Sequence, residues 1–263
     1  MALEQVVLLP HPPIVLPEVA GSRFNDVKTT AEGMIEISKD IVFKNPETII
    51  IITPHSMMHR NSFATYSDDI ISGNFSMFGA PNVTIKVKNN LDLIANIKKN
   101  RESQGKNDIV FMPPKNKLDH GSGVPLYYLL KAGYKGSVVI FNYCVSSKDV
   151  HIDFGKTLLD TVKNSNIKTI LVASGDLSHR IIPSAPAGFH PDGEKFDQLI
   201  VNAIKDGNYN LISSMDNALR DNAGECAYNS LMVAFGAINE DNKQSKIYSY
   251  EAPFGVGYLV ASL

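Results

Sequence analysis

Cysteine is scarce in this sequence and tryptophan is absent. The 263 residues include two cysteines, Cys144 and Cys226, which lie far apart and form no Cys-x-x-Cys pair. Cysteine usage of this kind indicates neither a disulfide framework nor a structural zinc module. We therefore expect a reducing, cytoplasmic environment for this chain.

Long apolar segments and an excess of one charge are also missing. No apolar run approaches the roughly 20 residues that a membrane-spanning helix needs, and the short run at residues 6–9 lacks the basic flank of a signal peptide. The formal net charge is -2, and the densest basic patch is confined to residues 97–101. These features predict that neither a membrane nor a nucleic acid is a partner.

The composition is that of an ordinary folded protein, with 44% hydrophobic and 20% charged residues. A chain of this length could form one or two domains. No internal repeat, low-complexity segment or Pro/Gly/Ser-rich linker divides it. The simplest prediction is a single domain over residues 1–263.

Apolar runs rich in β-branched residues alternate with segments of helical spacing. The expected strands occupy residues 6–9, 49–52, 138–141, 169–172 and 255–260. The expected helices occupy residues 27–42, 125–132, 154–162, 196–204 and 225–237. Short continuous apolar runs are typical of strands buried on both faces. The alternation predicts an α/β fold with a central, mostly parallel, mixed sheet flanked by helices.

Two segments fit neither pattern. Residues 63–82 are rich in Ser, Asp, Gly and Asn, and residues 181–193 contain proline and glycine beside His190. Both are predicted to be long loops. Because long loops inside a compact domain are uncommon unless they serve a function, they are candidate walls or lids of a pocket.

Three histidines follow predicted strands. His11, His55 and His179 lie just after the first, second and fourth of the apolar runs. The carboxyl ends of the strands of an open α/β sheet border the ligand crevice, so the three rings should meet at one edge. A single histidine in such a loop is more often a hydrogen-bonded loop residue than a ligand. Three on separate strands favour a shared site, whereas His59 and His151 are expected at the surface.

Histidine ligands suit several transition metals. Two histidines with one carboxylate leave open positions on non-heme Fe(II), and the same set also describes catalytic zinc, so ligand type leaves the metal open. The candidate carboxylate is Glu225, at the start of an apolar helix, where an acidic residue is also favourable without any metal. Cys226 is the competing ligand in the same turn.

Four motifs together carry a family resemblance. They are Leu9-Pro-His11-Pro-Pro13, Thr53-Pro-His55-Ser56, Leu118-Asp-His120-Gly-Ser-Gly-Val-Pro-Leu126 and Ser174-Gly-Asp-Leu-Ser-His179-Arg180. In this order, across nearly the whole chain, they resemble class III extradiol ring-cleavage dioxygenases of the LigB type. The segments at 176–180 and 187–197, with Glu225-Cys226, are similar to the branch that includes AmmeMemoRadiSam and Memo proteins.

The resemblance implies a site and an activity. His11, His55 and Glu225 would hold Fe(II), His179 would act as acid and base, and His120 would contact substrate or dioxygen. In some Memo-like relatives the third ligand is a cysteine aligned near Cys226. The implied reaction is opening of a catechol or aminophenol ring with dioxygen.

Two other functions use the same pocket. One is a zinc-dependent hydrolase, and the other is a Memo-like metal-binding or redox accessory protein without ring cleavage. Extradiol enzymes of this class often pair with a small second subunit. A homo-oligomer is the other expectation, because Phe75 and Phe78 are expected to be exposed loop aromatics.

Overall fold

A computed structural model describes residues 2–263. The strands are β1 (Leu3–Leu9), β2 (Thr48–Thr53), β3 (Phe63–Thr65), β4 (Ile70–Phe75), β5 (Ala80–Lys88), β6 (Ile109–Phe111), β7 (Ser137–Asn142), β8 (Thr169–Ser174), β9 (Lys246–Glu251) and β10 (Tyr258–Ser262). The helices are α1 (Pro17–Ala20), α2 (Lys28–Phe43), α3 (Leu91–Ser103), α4 (His120–Lys131), α5 (Lys148–Ser165), α6 (Asp192–Lys205), α7 (Tyr209–Ser213), α8 (Asn217–Ala223) and α9 (Tyr228–Ala237). Within residues 2–263 no helix combines the length and apolarity needed to cross a bilayer.

Eight strands form one sheet in the order β6-β3-β7-β2-β8-β1-β10-β9. The four central strands β7, β2, β8 and β1 are parallel to one another. On one side β3 pairs antiparallel with β7 and parallel with β6, and on the other side β10 and β9 continue the sheet in antiparallel pairing. The predicted α/β class, with a mixed and mostly parallel sheet, is confirmed.

The central strands are buried because helices cover both faces of the sheet. All six residues of β2 are buried. Alternate side chains of a strand point to opposite faces, so Ile50 and Ile52 join one apolar cluster while Ile49 and Ile51 join the other. Side chains of α3, α5, α6 and α9 complete the first cluster, and side chains of α2 and α4 complete the second.

Helix α9 is held close to α5 by two glycines. A Cβ atom on Gly155 would lie 2.0 Å from the Val233 carbonyl oxygen, and one on Gly236 would lie 2.0 Å from the Ile152 carbonyl oxygen. Only glycine permits this approach. The contact fixes the position of the segment that precedes α9.

One predicted loop contains regular structure. Residues 63–82 include β3, the strand β4 and the start of β5, and β4 pairs with β5 as an antiparallel hairpin. The loop prediction was wrong there because polar residues alternate with apolar ones on a hairpin that has one exposed face. Phe75 is also only 2% exposed. The expectation that it is an exposed aromatic is therefore wrong, and it lends no support to a homo-oligomer.

Candidate metal centre

The histidines meet at the carboxyl edge of the sheet. His11 follows β1, His55 follows β2, and His179 follows β8, which lies between those two strands. The Nε2 atoms of His11 and His55 are 2.9 Å apart. The convergence predicted from the three strand ends is present in the fold.

Cys226 completes this cluster. Its Sγ lies 3.6 Å from His11 Nε2 and 3.8 Å from His179 Nε2. Two hydrogen bonds hold the cysteine in place: its backbone N–H donates to the Asp176 carbonyl at 3.2 Å, and the Asp176 N–H donates to Sγ at 3.2 Å. The loop after β8 therefore positions the thiol.

Glu225 does not join the histidines. Arg220 donates to its Oε1 from Nε at 3.2 Å and from Nη2 at 3.0 Å, and the Tyr228 N–H donates to its Oε2 at 2.6 Å. This carboxylate, only 5% exposed, caps the first turn of α9 and neutralises a cation. The structure therefore does not bring Glu225 into the histidine cluster, because its carboxylate has other partners, and it brings Cys226, the competing residue of the same turn, there instead.

His120 stands beside His55 at the start of α4. Their ring centroids are 4.1 Å apart. Asp119 caps this helix, accepting from the Ser122 N–H at 3.0 Å and from the Thr53 hydroxyl at 3.0 Å. Burial raises the pKa of Asp119 to about 6, against the lowering effect of these hydrogen bonds. The cap therefore joins α4 to the end of β2 and keeps the two rings together.

Ser174 determines the tautomer of His11. Pro125 has no N–H to donate to the Gly121 carbonyl one turn earlier in α4, and the Ser174 hydroxyl donates to that carbonyl instead. With its proton committed, the Ser174 oxygen accepts from His11 Nδ1–H at 2.9 Å. The Nε2 lone pair of His11 is left facing the cluster. Sequence analysis missed Ser174, because its place depends on the pairing of Leu9 with Ser174 between two strands distant in sequence.

Burial keeps the four rings neutral. For His55, burial followed by the nearby His120 and His179 lowers the pKa to about 4. For His11, burial followed by the other three rings lowers the pKa well below its usual value. Burial also lowers the pKa of His120 and of His179. Neutral imidazole is the form that binds a metal or accepts a proton.

The acidic groups of the cluster shift in the opposite direction. Burial, with a further contribution from the Asp176 carboxylate, raises the pKa of the Cys226 thiol well above its usual value. Burial also raises the pKa of Asp176 to about 7, opposed by a hydrogen bond from the His11 N–H at 2.9 Å. Without a cation the thiol keeps its proton, and a bound metal would stabilise the thiolate.

A cavity of about 430 Å³ opens beside His55 and His120. The β4–β5 hairpin forms one wall with Phe75 and Phe78, and the Phe78 and His120 ring centroids are 5.3 Å apart. The segment at 63–82, expected to be a pocket wall, supplies that wall as a hairpin. Residues 181–191 form the predicted second loop, outside the lining of this cavity.

His59 and His151, which were expected at the surface, are not fully exposed. His151 is 0% exposed, and its ring nitrogens contact the Ser147 and Cys144 carbonyl oxygens at 2.8 and 3.1 Å. The surface prediction for His151 was wrong, because α5 turns this ring towards Phe63 of β3 and Tyr143, which follows β7. His59 is half-buried.

The donor set suits a transition metal. One ligand atom each from His11, His55 and Cys226 lie within 4.8 Å of one another, and Asp176, His179 and Cys226 form a second such group. Two nitrogens bound to one metal at about 2.0–2.1 Å lie about 3 Å apart at right angles, close to the His11–His55 separation of 2.9 Å. Imidazole and thiolate together fit iron, copper or zinc.

Comparisons with known proteins identify the family and the fold. A sequence model of the family described as the catalytic LigB subunit of aromatic ring-opening dioxygenase matches residues 5–261. Protein CA_C1420 of Clostridium acetobutylicum is 38% identical over 270 residues, and the match spans 100% of this chain and 58% of that protein. The crystal structure of the uncharacterized protein JW3007 from Escherichia coli K12 shares the fold, with a TM-score of 0.61, 14% identity and 99% coverage of each chain. The chain belongs to the LigB family, the catalytic subunits of aromatic ring-opening dioxygenases.

Proposed function

We propose that this chain opens a catechol- or aminophenol-type ring with dioxygen, using one iron ion held by His11, His55 and Cys226. The observation that carries the proposal is the meeting of these three donors, with His11 Nε2 2.9 Å from His55 Nε2 and 3.6 Å from Cys226 Sγ. Membership of a ring-opening family supports the reaction type.

The protein residues have separable roles in this reaction. A bound iron supplies redox chemistry with dioxygen and lowers the pKa of a substrate hydroxyl. Neutral His179 accepts a hydroxyl proton at Nε2, the atom that faces Cys226 Sγ at 3.8 Å. His120 hydrogen-bonds a substrate or dioxygen-derived oxygen from the side of His55. The cavity beside them receives the ring, with Phe75 and Phe78 excluding water.

A second function is favoured by the thiol. Two histidines with one thiolate are softer donors than two histidines with one carboxylate, and thiolate favours copper(I) and zinc as well as iron. This set supports a Memo-like metal-binding or redox accessory role without ring cleavage, and a zinc-dependent hydrolase could use the same ligands. A free thiol ligand is in keeping with the reducing cytoplasm in which we expect the chain to act.

The test is anaerobic reconstitution with Fe(II), Cu(I) or Zn(II), followed by metal counting. We expect near-stoichiometric iron in the wild type and its loss in His11→Ala, His55→Ala and Cys226→Ser. Cys144→Ser, which changes the other free cysteine, and Glu225→Gln are matched controls that should keep the metal. Addition of catechols and oxygen to the iron form should then give ring-opened product and oxygen uptake.

The outcomes separate the candidate functions. Tight binding of copper or zinc in preference to iron, with no oxygen uptake, would favour the accessory or hydrolase function. Metal retained in Cys226→Ser but lost in Glu225→Gln would restore the carboxylate as ligand. No metal binding at all would refute the proposal.

A further inference from the structure

The charge of the cavity beside His55 and His120 limits its occupant. Among the described residues that line it there is no lysine and no arginine, and Asp119 is the only residue with a formal charge. Most of the remaining surface is apolar, including Phe75, Ile85 and Leu118. A negatively charged group in this cavity would find no protein cation to pair with.

Arg180, the residue after His179, does not supply a positive charge to this cavity. Arg180 follows His179, but it is not part of the cavity lining. Its Nη1 donates to the Asn222 carbonyl at 3.4 Å, whereas its Nε, which lies next to Gly224, is buried without a hydrogen-bond partner among the described residues. The guanidinium thus contacts the end of α8 and leaves the hairpin wall without a counter-charge.

The negative charge of Asp119 makes the cavity still less favourable for an anion. Its oxygens accept from the Thr53 hydroxyl, the Ser122 N–H, the Ser122 hydroxyl at 3.2 Å and the Tyr66 hydroxyl at 3.4 Å. These bonds hold the carboxylate in the wall, where it repels an anion. Burying a carboxylate beside it without a partner is strongly unfavourable.

Resting on the proposed function, we infer that the site selects aromatic diols or aminophenols whose other substituents are uncharged and apolar, and rejects rings that carry a carboxylate. A metal held by His11, His55 and Cys226 would engage the hydroxyl pair, or the hydroxyl and amine, of either kind of ring. The hairpin wall decides between them.

The test compares two ligands with the same hydroxyl pair. Binding of 4-methylcatechol and of 3,4-dihydroxybenzoate to the iron-loaded protein is measured by calorimetry without oxygen, so that no turnover occurs. We expect the methyl compound to bind at least about 10-fold more tightly, because the carboxylate is buried unpaired.

A lysine introduced at the mouth of the cavity should change the ratio of the affinities for 4-methylcatechol and 3,4-dihydroxybenzoate. Met77 lines the cavity and is 91% exposed, so Met77→Lys should not disturb folding. It should improve binding of the acid about two- to fivefold, the range of an exposed ion pair, and so reduce the ratio of the two affinities. Leu211→Lys adds the same charge at a residue that is 50% exposed on α7 and should alter neither ligand.

Each result decides a different claim. Equal binding of the two ligands, or tighter binding of the acid, would overturn the charge selectivity and leave the proposed function standing. Absence of binding by both ligands to the iron-loaded protein would overturn the proposed function and the selectivity together.

Discussion

Ser174 controls which nitrogen of His11 can bind a metal. Its hydroxyl proton goes to the Gly121 carbonyl, so its oxygen accepts from His11 Nδ1. We predict that Ser174→Ala lowers metal affinity about 10- to 100-fold, as loss of a partner that orients a ligand typically does. Competition with a chromophoric chelator measures this affinity.

A matched serine serves as the control for this substitution. Ser38 is buried in α2, and its hydroxyl has no hydrogen-bond partner. Ser38→Ala should leave metal affinity unchanged. Equal affinities for wild type and Ser174→Ala would show that another group sets the His11 tautomer.

The shifted pKa values predict how many protons a metal displaces. The lowered pKa of His11 and of His55 leaves both without a proton to release at neutral pH, whereas the raised pKa of Cys226 means that the thiol must lose one. At about pH 8 we expect roughly one proton released per metal, with affinity rising about tenfold per pH unit. Calorimetry in buffers of different ionisation enthalpy counts the protons.

The same measurement on Cys226→Ser tests the source of the proton. Any residual metal binding by this variant should release roughly none, since serine stays protonated. Release of two or more protons by the wild type would mean that a histidine is protonated in the free protein, contrary to the lowered pKa values.

At the scale of elements, the start of α9 depends on Glu225. Burial raises the pKa of this carboxyl, and the Arg220 charge opposes that shift. Glu225→Ala leaves Arg220 unpaired and the Tyr228 N–H uncapped, so we predict a loss of about 2–4 kcal/mol in the free energy of unfolding. Denaturant unfolding of the metal-free protein measures it.

Glu225→Gln distinguishes a structural role of Glu225 from a role as metal ligand. The amide oxygen can still accept from the Tyr228 N–H, so the loss of stability should be smaller. Both variants should bind metal when folded. A full-length folded Glu225→Gln that binds no metal would contradict the structural role of this residue.

Over the whole molecule, the metal should stabilise the fold without being required for it. The ligands lie at the edge of the sheet, while the two apolar clusters fill both of its faces. Metal at about 100 times its dissociation constant adds about 2.7 kcal/mol, which in a chain of this size raises Tm by roughly 5–10 °C. Chelation should lower Tm by that amount and leave the far-ultraviolet circular dichroism unchanged.

A different response to chelation would contradict the prediction that the fold forms without metal. Loss of secondary structure on chelation would mean that metal binding is coupled to folding, as in small structural zinc domains. An unchanged Tm would mean that no metal had been bound.

The sequence by itself determined the α/β class, the four central strands and the histidines at their ends. Continuous β-branched runs specify buried parallel strands locally, and the carboxyl ends of such strands share one edge whatever the loops do. The four motifs were sufficient to identify the family, because residue types and their order along the chain can be compared without knowing how the side chains are oriented.

Only the tertiary structure decided which residue after Gly224 faces the histidines. Glu225 and Cys226 are adjacent in sequence, but Arg220 of α8 draws the carboxylate away, and Asp176 in the loop after β8 holds the thiol towards His11. These partners are 5 and 50 residues away. The choice between two neighbouring side chains therefore rests on contacts that exist only after folding, and no local pattern encodes it.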